Sequence, residues 1–152
     1  MPHIHKDFDF VVVPFIVYDN KVLLIHHKEL KKWLSAGGGH IELNEDPEQA
    51  LEREIKEETG LDVEVVAEKP NFKVEGRKFL FPPTYLDVHP INETHRHIGM
   101  VYFCKASSDD VKLATKEHHE IKWFTEEDLE KSEYNLQEDI KFYAREAFKR
   151  AG

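Results

Sequence analysis

The chain is short of cysteine, of linker-like sequence, of positive charge and of long apolar runs, and each shortage closes off a class of protein. One cysteine, Cys104, in 152 residues leaves no internal disulfide and no partner thiol for a zinc knuckle. Set in Met100-Val101-Tyr102-Phe103-Cys104, it reads as a packed core thiol, not a reactive one. Basic side chains number 21 against 30 acidic ones, a formal net charge of −9. That balance argues against long nucleic acid or an anionic membrane as partner, since both call for a positive field. No segment approaches the roughly 20 apolar residues of a membrane span. The opening Met1-Pro2-His3-Ile4-His5-Lys6-Asp7 has no apolar signal core, and the chain is expected to be soluble and cytoplasmic. No internal repeat or low-complexity linker interrupts it, so one domain over residues 1–152 is expected, in keeping with the usual size of roughly 100–200 residues.

What is present is a mixture of strand and helix signals. Phe8–Tyr18 is almost continuously Val, Phe and Ile, as in a strand covered on both faces. Pro14 within it cannot donate a ladder hydrogen bond, so a bulge or a locally edge-like position is expected there. Asp19-Asn20 is a turn dipeptide, with Lys21–His26 as the returning strand of a hairpin. After Trp33-Leu34 come Gly37, Gly38 and Gly39, and then the strongest helix signal in the chain. Asp46 is the expected N-cap, Pro47 the first helical residue, Gln49 the partner in a capping box, Thr59 the last residue and Gly60 a left-handed cap. Leu61–Val66, Lys78–Phe81, His97–Lys105 and Glu120–Phe124 read as strands, whereas Pro82-Pro83 and Asp87–Thr94 read as loops. Thr125 is expected to open a helical turn, and a last helix to follow Asn135 as its cap, in a box with Glu138. Leu136, Ile140, Tyr143, Ala144 and Ala147 form a single apolar stripe suited to packing on a sheet. The mixture predicts an α/β protein with helices on both sides of a sheet.

Chemistry concentrates on the Pro47–Thr59 helix. Glu54, Glu57 and Glu58 stand at i, i+3 and i+4, so their carboxylates project from one patch bordering the apolar face of Leu51 and Ile55. Each neighbouring pair of like charges costs a few tenths of a kcal/mol even when exposed. Such a patch is either a solvated acidic face, as on many Glu-rich helices, or a seat for a cation. Arg53 and Lys56 point elsewhere on the helical wheel and neutralise it only in part. A hard divalent cation such as Mg²⁺, which prefers oxygen ligands, fits the patch. The adjacent glycine run lets backbone N–H and C=O groups approach a ligand closely, and Gly38 and Gly39 are candidate substrate contacts.

Gly39, five residues, Glu45, seven residues, and then Arg53-Glu54-Ile55-Lys56-Glu57-Glu58-Thr59-Gly60-Leu61 match every fixed position of the Nudix box. The Phe8–His26 hairpin, Trp33 and Trp123-Phe124 are also similar to the flanks of that family. The chain therefore resembles the Nudix hydrolases. The resemblance implies an α/β/α sandwich with a mixed sheet, a loop–helix–loop metal site, and hydrolysis with Mg²⁺ or Mn²⁺ of a nucleoside diphosphate linked to another moiety. By position, Glu54, Glu57 and Glu58 would bind metal, helped by the Gly39 carbonyl. One of these glutamates, or a later acid, would be the general base. Arg53 would orient the glutamates by ion pairing, and Glu45 would be structural or an outer group. A small nucleotide is the implied partner, and a homodimer is compatible with the family.

Two positions depart from the family pattern. Gly37 stands where many members carry Pro, and Leu43-Asn44 where many carry Pro-Gly. Asn tolerates the left-handed conformation better than most residues, so the turn is expected to survive. Nucleoside triphosphates, nucleotide sugars and dinucleoside polyphosphates all remain open as substrates. A non-catalytic nucleotide-sensing module and an RNA-end (cap) hydrolase are the alternatives. The intact box argues against the first and the −9 charge against the second.

Weaker candidates lie outside the box. Glu120 resembles the downstream acid that some family members use as base or substrate contact; otherwise it is an ordinary strand-edge glutamate. His118 and His119 beside it are solvated residues or phosphate contacts. His95 and His97 share a strand face, either lining the substrate cleft or remaining surface histidines. No third ligand has suitable local spacing, so a transition-metal site is not expected there. Lys28, Lys31 and Lys32 are a solvated loop or a phosphate contact, and Trp33, Phe79, Phe81 and Tyr85 are core residues or stacking platforms.

Overall fold

Alternation along one strand organises the molecule. In the computed structural model, which describes residues 6–112 and 118–152 (backbone alone for His118 and His119), Phe8–Tyr18 is strand β1. Its Phe15 and Val17 enter the core on one face, and its Val12 and Ile16 enter the core on the other. That double burial is why the run is almost continuously apolar. Asp19 and Asn20 turn the chain with φ of 49° and 56°, the left-handed pair that suits a tight hairpin, and β2 (Lys21–His27) returns. There follow β3 (Lys32–Ser35), β4 (Gly39–His40), α1 (Pro47–Thr59), β5 (Val63–Val65), β6 (Tyr85–Pro90), β7 (Arg96–Ala106), β8 (His118–Phe124), a 3₁₀ turn (Glu127–Glu130) and α2 (Glu138–Ala151).

The strands make one sheet in the order β3-β2-β1-β7-β5, with β4 on β1, β6 on β7 and β8 on β2. β1 and β7 run parallel while β1 and β2 run antiparallel, so the sheet is mixed. α1 covers one face through Ala50, Leu51 and Ile55 against Val12, Ile16, Leu23 and Ile25. α2 covers the other through Ile140, Ala144 and Ala147 against Phe15, Val22, Leu24 and Phe103. This is the expected α/β/α sandwich. Among the described residues no helix is long and apolar enough to cross a membrane. Cys104 is fully buried, and burial pushes its thiol up to about 12.

Pro14 keeps its place in the β7 ladder opposite Tyr102. On its other side, β1 pairs with β4 at Val11 and Val12 and with β2 only from Val17. Pro14 lies in the gap between those two pairings, which is the locally edge-like position its missing donor calls for. The α1 caps form as predicted. Asp46 accepts from the Gln49 backbone N–H at 3.0 Å, Gln49 Oε1 accepts from the Asp46 N–H at 2.9 Å, and Gly60 takes φ of 71°.

Three expectations are corrected. Lys78–Phe81 forms no strand: the Phe81 N–H donates to Glu48 Oε2 at 3.0 Å and Lys78 pairs with Asp46 at 2.8 Å, so the segment's polar groups go to the start of α1. Asp87 to Pro90 is not loop but part of β6. Its apolar Leu86 and Val88 face outward, 66% and 59% exposed, and its polar residues face inward, an inversion of the usual amphipathic strand. Asn135 does not cap α2. It adopts φ of 47°, outside the extended region a cap needs, and Gln137 occupies the N-cap without a side-chain bond.

Candidate active site

The glycine loop and α1 are pressed together. A Cβ on Gly37, whose φ is +87°, would stand 2.8 Å from Ile55 Cγ1, and a Cβ on Gly39 would stand 2.5 Å from the Glu54 carboxyl carbon. The Gly37 N–H donates to Glu58 Oε1 at 2.8 Å, fixing a carboxylate that is itself buried. Asn44 takes φ of 68°, so the turn survives its departure from the family pattern.

Arg53 gathers the acids. Its Nε and Nη2 grip Glu45 at 3.0 and 2.7 Å, a two-point contact. Nη1 reaches Glu54 at 2.9 Å and Glu57 at 3.4 Å, while Nη2 also donates to the His40 carbonyl at 3.2 Å. The helical wheel alone placed Arg53 apart from the patch; its long side chain curls back to reach two of the three glutamates. Lys56 turns away to Asp62 at 2.9 Å. Arg53 holds the Glu45 carboxyl below the usual range. Burial raises Glu54, opposed by Arg53.

Glu54, Glu57 and Glu58 line a cleft of about 920 Å³ together with Gly38 and Gly39, a size that suits a small-molecule ligand. The cleft crosses β1 and ends at Asp139, Ile140 and Tyr143 of α2. The donor set is all oxygen. Glu54 and Glu58 are sheltered, whereas the Glu57 side chain is 64% exposed, and the Gly39 backbone lies directly under Glu54. Crowded carboxylates with one shared guanidinium fit a hard divalent cation, and Glu54, Glu57, Glu58 and the Gly39 carbonyl are the groups that could hold it.

Other candidates land elsewhere. Glu120 is exposed on β8 opposite His26 and is not among the residues lining the cleft. The side chains of His118 and His119 lie outside the described residues. Lys28, Lys31 and Lys32 do not line the cleft. Trp33 is buried beside Phe124, ring centres 4.9 Å apart. Tyr85 packs on Phe103 and donates to Glu146 at 2.6 Å. Phe79 sits 6.4 Å from Phe72, and Phe81 lies under Lys69.

A second wall of the cleft is formed by His40, His89 and His97, joined by Asp9 from β1 in an arrangement that local spacing does not reveal. In the register of three strands Asp9 lies beside His97, and His97 beside His89; cross-strand partners share a face. Asp9 Oδ2 pairs with His95 Nε2 at 2.8 Å and with His40 Nε2 at 3.4 Å. The His40 and His97 rings stand 4.8 Å apart. His89 pairs with Asp87 at 2.9 Å, and the Tyr143 hydroxyl donates to the same carboxylate at 2.5 Å. Burial lowers His97, as do His40, His89 and His95 around it. His97 lines the cleft and His95 does not. No third ligand stands at local spacing from these two histidines, as expected; the fold brings Asp9 and His40 to His97 from β1 and β4. Besides the spacing of His95 and His97, the alternation of Asp87 and His89 with Leu86 and Val88 is a sequence signal for this wall.

A mixed sheet between two helices, with one helix delivering its acids to a cleft floored by a glycine loop, defines an α/β protein built for hydrolytic chemistry. The family model described as the NUDIX domain matches residues 9–145, and the chain belongs to the Nudix hydrolase family. It is 35% identical over 108 residues to the nucleoside triphosphatase NudI of Enterobacter sp. (strain 638), covering 68% of this chain and 69% of that protein. A hydrolase of the NUDIX family from Clostridium perfringens superposes with a TM-score of 0.79 and is 36% identical, covering 93% of this chain and 96% of the other. A MutT NUDIX hydrolase from Burkholderia pseudomallei shares the fold, with a TM-score of 0.67, 23% identity, and coverage of 97% and 100%.

Proposed function

We propose that the protein is a metal-dependent pyrophosphohydrolase that cuts a P–O–P linkage in a small nucleotide. The observation that carries this reading is the convergence of Glu54, Glu57 and Glu58 on the Gly38-Gly39 backbone in one cleft. Mg²⁺ or Mn²⁺ bound there would offset phosphate charge and lower the pKa of water. The chain's own residues do the positioning. Arg53 holds Glu54 and Glu57 while anchored on Glu45, and the Gly37 N–H sets the angle of Glu58. Glu57, the most exposed of the three, is best placed to take a proton from an incoming water. Gly38, Gly39 and His97 face the substrate. Glu120 takes no part in this reading.

The name of the Enterobacter relative makes nucleoside triphosphates the first substrates to try, ahead of nucleotide sugars and dinucleoside polyphosphates. Purified protein with Mg²⁺ should release a nucleoside monophosphate from at least one member of such a panel, followed by mass spectrometry. Folded, metal-supplied protein that turns over none of them sinks the proposal. If a nucleotide then raises the melting temperature without product, the chain is a sensor. A homodimer and a cytoplasmic location belong to the same proposal. The exposed Leu86 and Val88 on β6 are the surface a dimer would cover, and sedimentation measures its mass.

A further inference from the structure

The histidine wall has the composition of a metal site unlike the glutamate one. Asp9, His40 and His97 each offer one ligand atom, and all three atoms lie within 4.8 Å of one another. A tetrahedral ion with bonds of about 2.0–2.2 Å draws its ligand atoms to roughly 3.3 Å apart. Small rotations close that difference, and the His40 side chain, 57% exposed, has room to make one. We propose that Asp9, His40 and His97 form a second metal site, selective for a borderline divalent ion of the Zn²⁺ class, with an open coordination position facing the cleft.

Three features support it. Strand register, not chance proximity, sets the ligands: Asp9 opposes His97 across β1 and β7, and His40 opposes Val11, two residues along β1 from Asp9. The donors are two imidazoles and one carboxylate, which suit Zn²⁺, Co²⁺ or Ni²⁺ better than Mg²⁺. His95, paired at 2.8 Å with the same Asp9 Oδ2 that faces His40, is the positioning residue that orients the ligating carboxylate. His40 and His97 both line the cleft, so three protein ligands leave the fourth position toward substrate, the arrangement of an open rather than a closed zinc site. His40 follows Gly39 directly and its carbonyl accepts from Arg53, so the nitrogen-rich site sits against the oxygen-only one.

The test uses metal-stripped full chain in excess Mg²⁺, which occupies carboxylate sites, titrated with Co²⁺ and read by its visible absorption. One Co²⁺ per chain is expected, displaced by Zn²⁺. His97→Ala and His40→Ala should each weaken uptake at least tenfold, His95→Ala should weaken it by about tenfold or more, and Glu57→Gln should leave it unchanged. Absence of Co²⁺ uptake under excess Mg²⁺ overturns the proposal. So does uptake that survives in His40→Ala, a substitution at an exposed side chain that keeps the test decisive if His97→Ala fails to fold. Because the readout is binding, its failure leaves the hydrolase reading untouched.

Discussion

The acidic wall and the histidine wall face one cleft but are assembled in opposite ways. The acids come from a single helix, within five residues, and are held by a guanidinium and a glycine loop. The histidines and Asp9 come from β1, β4, β6 and β7 and meet only because the strand registers align. The first wall crowds like charges around the clasp of Arg53, and burial, with a smaller push from Glu57 and Glu42, raises Glu54. The second gathers imidazoles around one carboxylate, and burial first, then the neighbouring His40, His89 and His95, lowers His97 against the opposing pull of Asp9. A constellation set by helical periodicity is thus legible along the chain, whereas one set by register depends on the whole sheet.

If the acidic wall carries the rate and the other wall carries affinity, substitutions should separate them. The largest effect is expected from Glu57→Gln. Losing several kcal/mol of charge stabilisation is about a 10³-fold fall in kcat, with an unchanged circular dichroism spectrum. Gly39→Ala comes next: the added Cβ, at 2.5 Å from the Glu54 carboxyl, displaces it by about an ångström, a shift that costs about 10²-fold in rate while the melting temperature barely moves. His97→Ala should raise KM by about tenfold, equivalent to about 1.4 kcal/mol, with a smaller change in kcat. A kcat loss as deep as that of Glu57→Gln would break the division between the walls.

The smallest effect concerns pH in metal-free protein. Glu54 is raised by burial, so the folded state binds its proton more tightly than the unfolded one. Its contribution is present below the ordinary carboxylate range and is lost as pH rises through the folded value. Glu45, lowered by Arg53, behaves in reverse, its contribution present above that range and lost as pH falls. Glu54→Gln should therefore melt above the wild type at neutral pH by the equivalent of a few tenths of a kcal/mol, with the gap closing toward the ordinary carboxylate range.

The same contrast separates what the amino-acid sequence encodes locally from what only the fold assembles. Asp46, Pro47, Gln49 and Gly60 encode the ends of α1 locally, and the bonds they make are the ones expected. The acidic patch follows from that helix by geometry alone. The Asp87–Pro90 part of β6 reads as loop in the sequence because Leu86 and Val88 are exposed while Asp87 and His89 are half-buried at the cleft, so the period is present with its meaning reversed. Asn135 was misread because a left-handed residue and an N-cap draw on the same amino acids. Asp9, His40 and His89 were missed because nothing in their own neighbourhoods says which strands will lie side by side.

The buried thiol of Cys104 has a practical consequence. With its one cysteine fully enclosed and its thiol pushed up by burial, the native chain should resist thiol-directed dyes in solution, which a labelling assay measures. A single cysteine introduced at Val88, on the exposed edge of β6, would then be the sole attachment point for a fluorophore. Such a probe would report dimer contact and ligand entry on one molecule, without any background-removing substitution in the core.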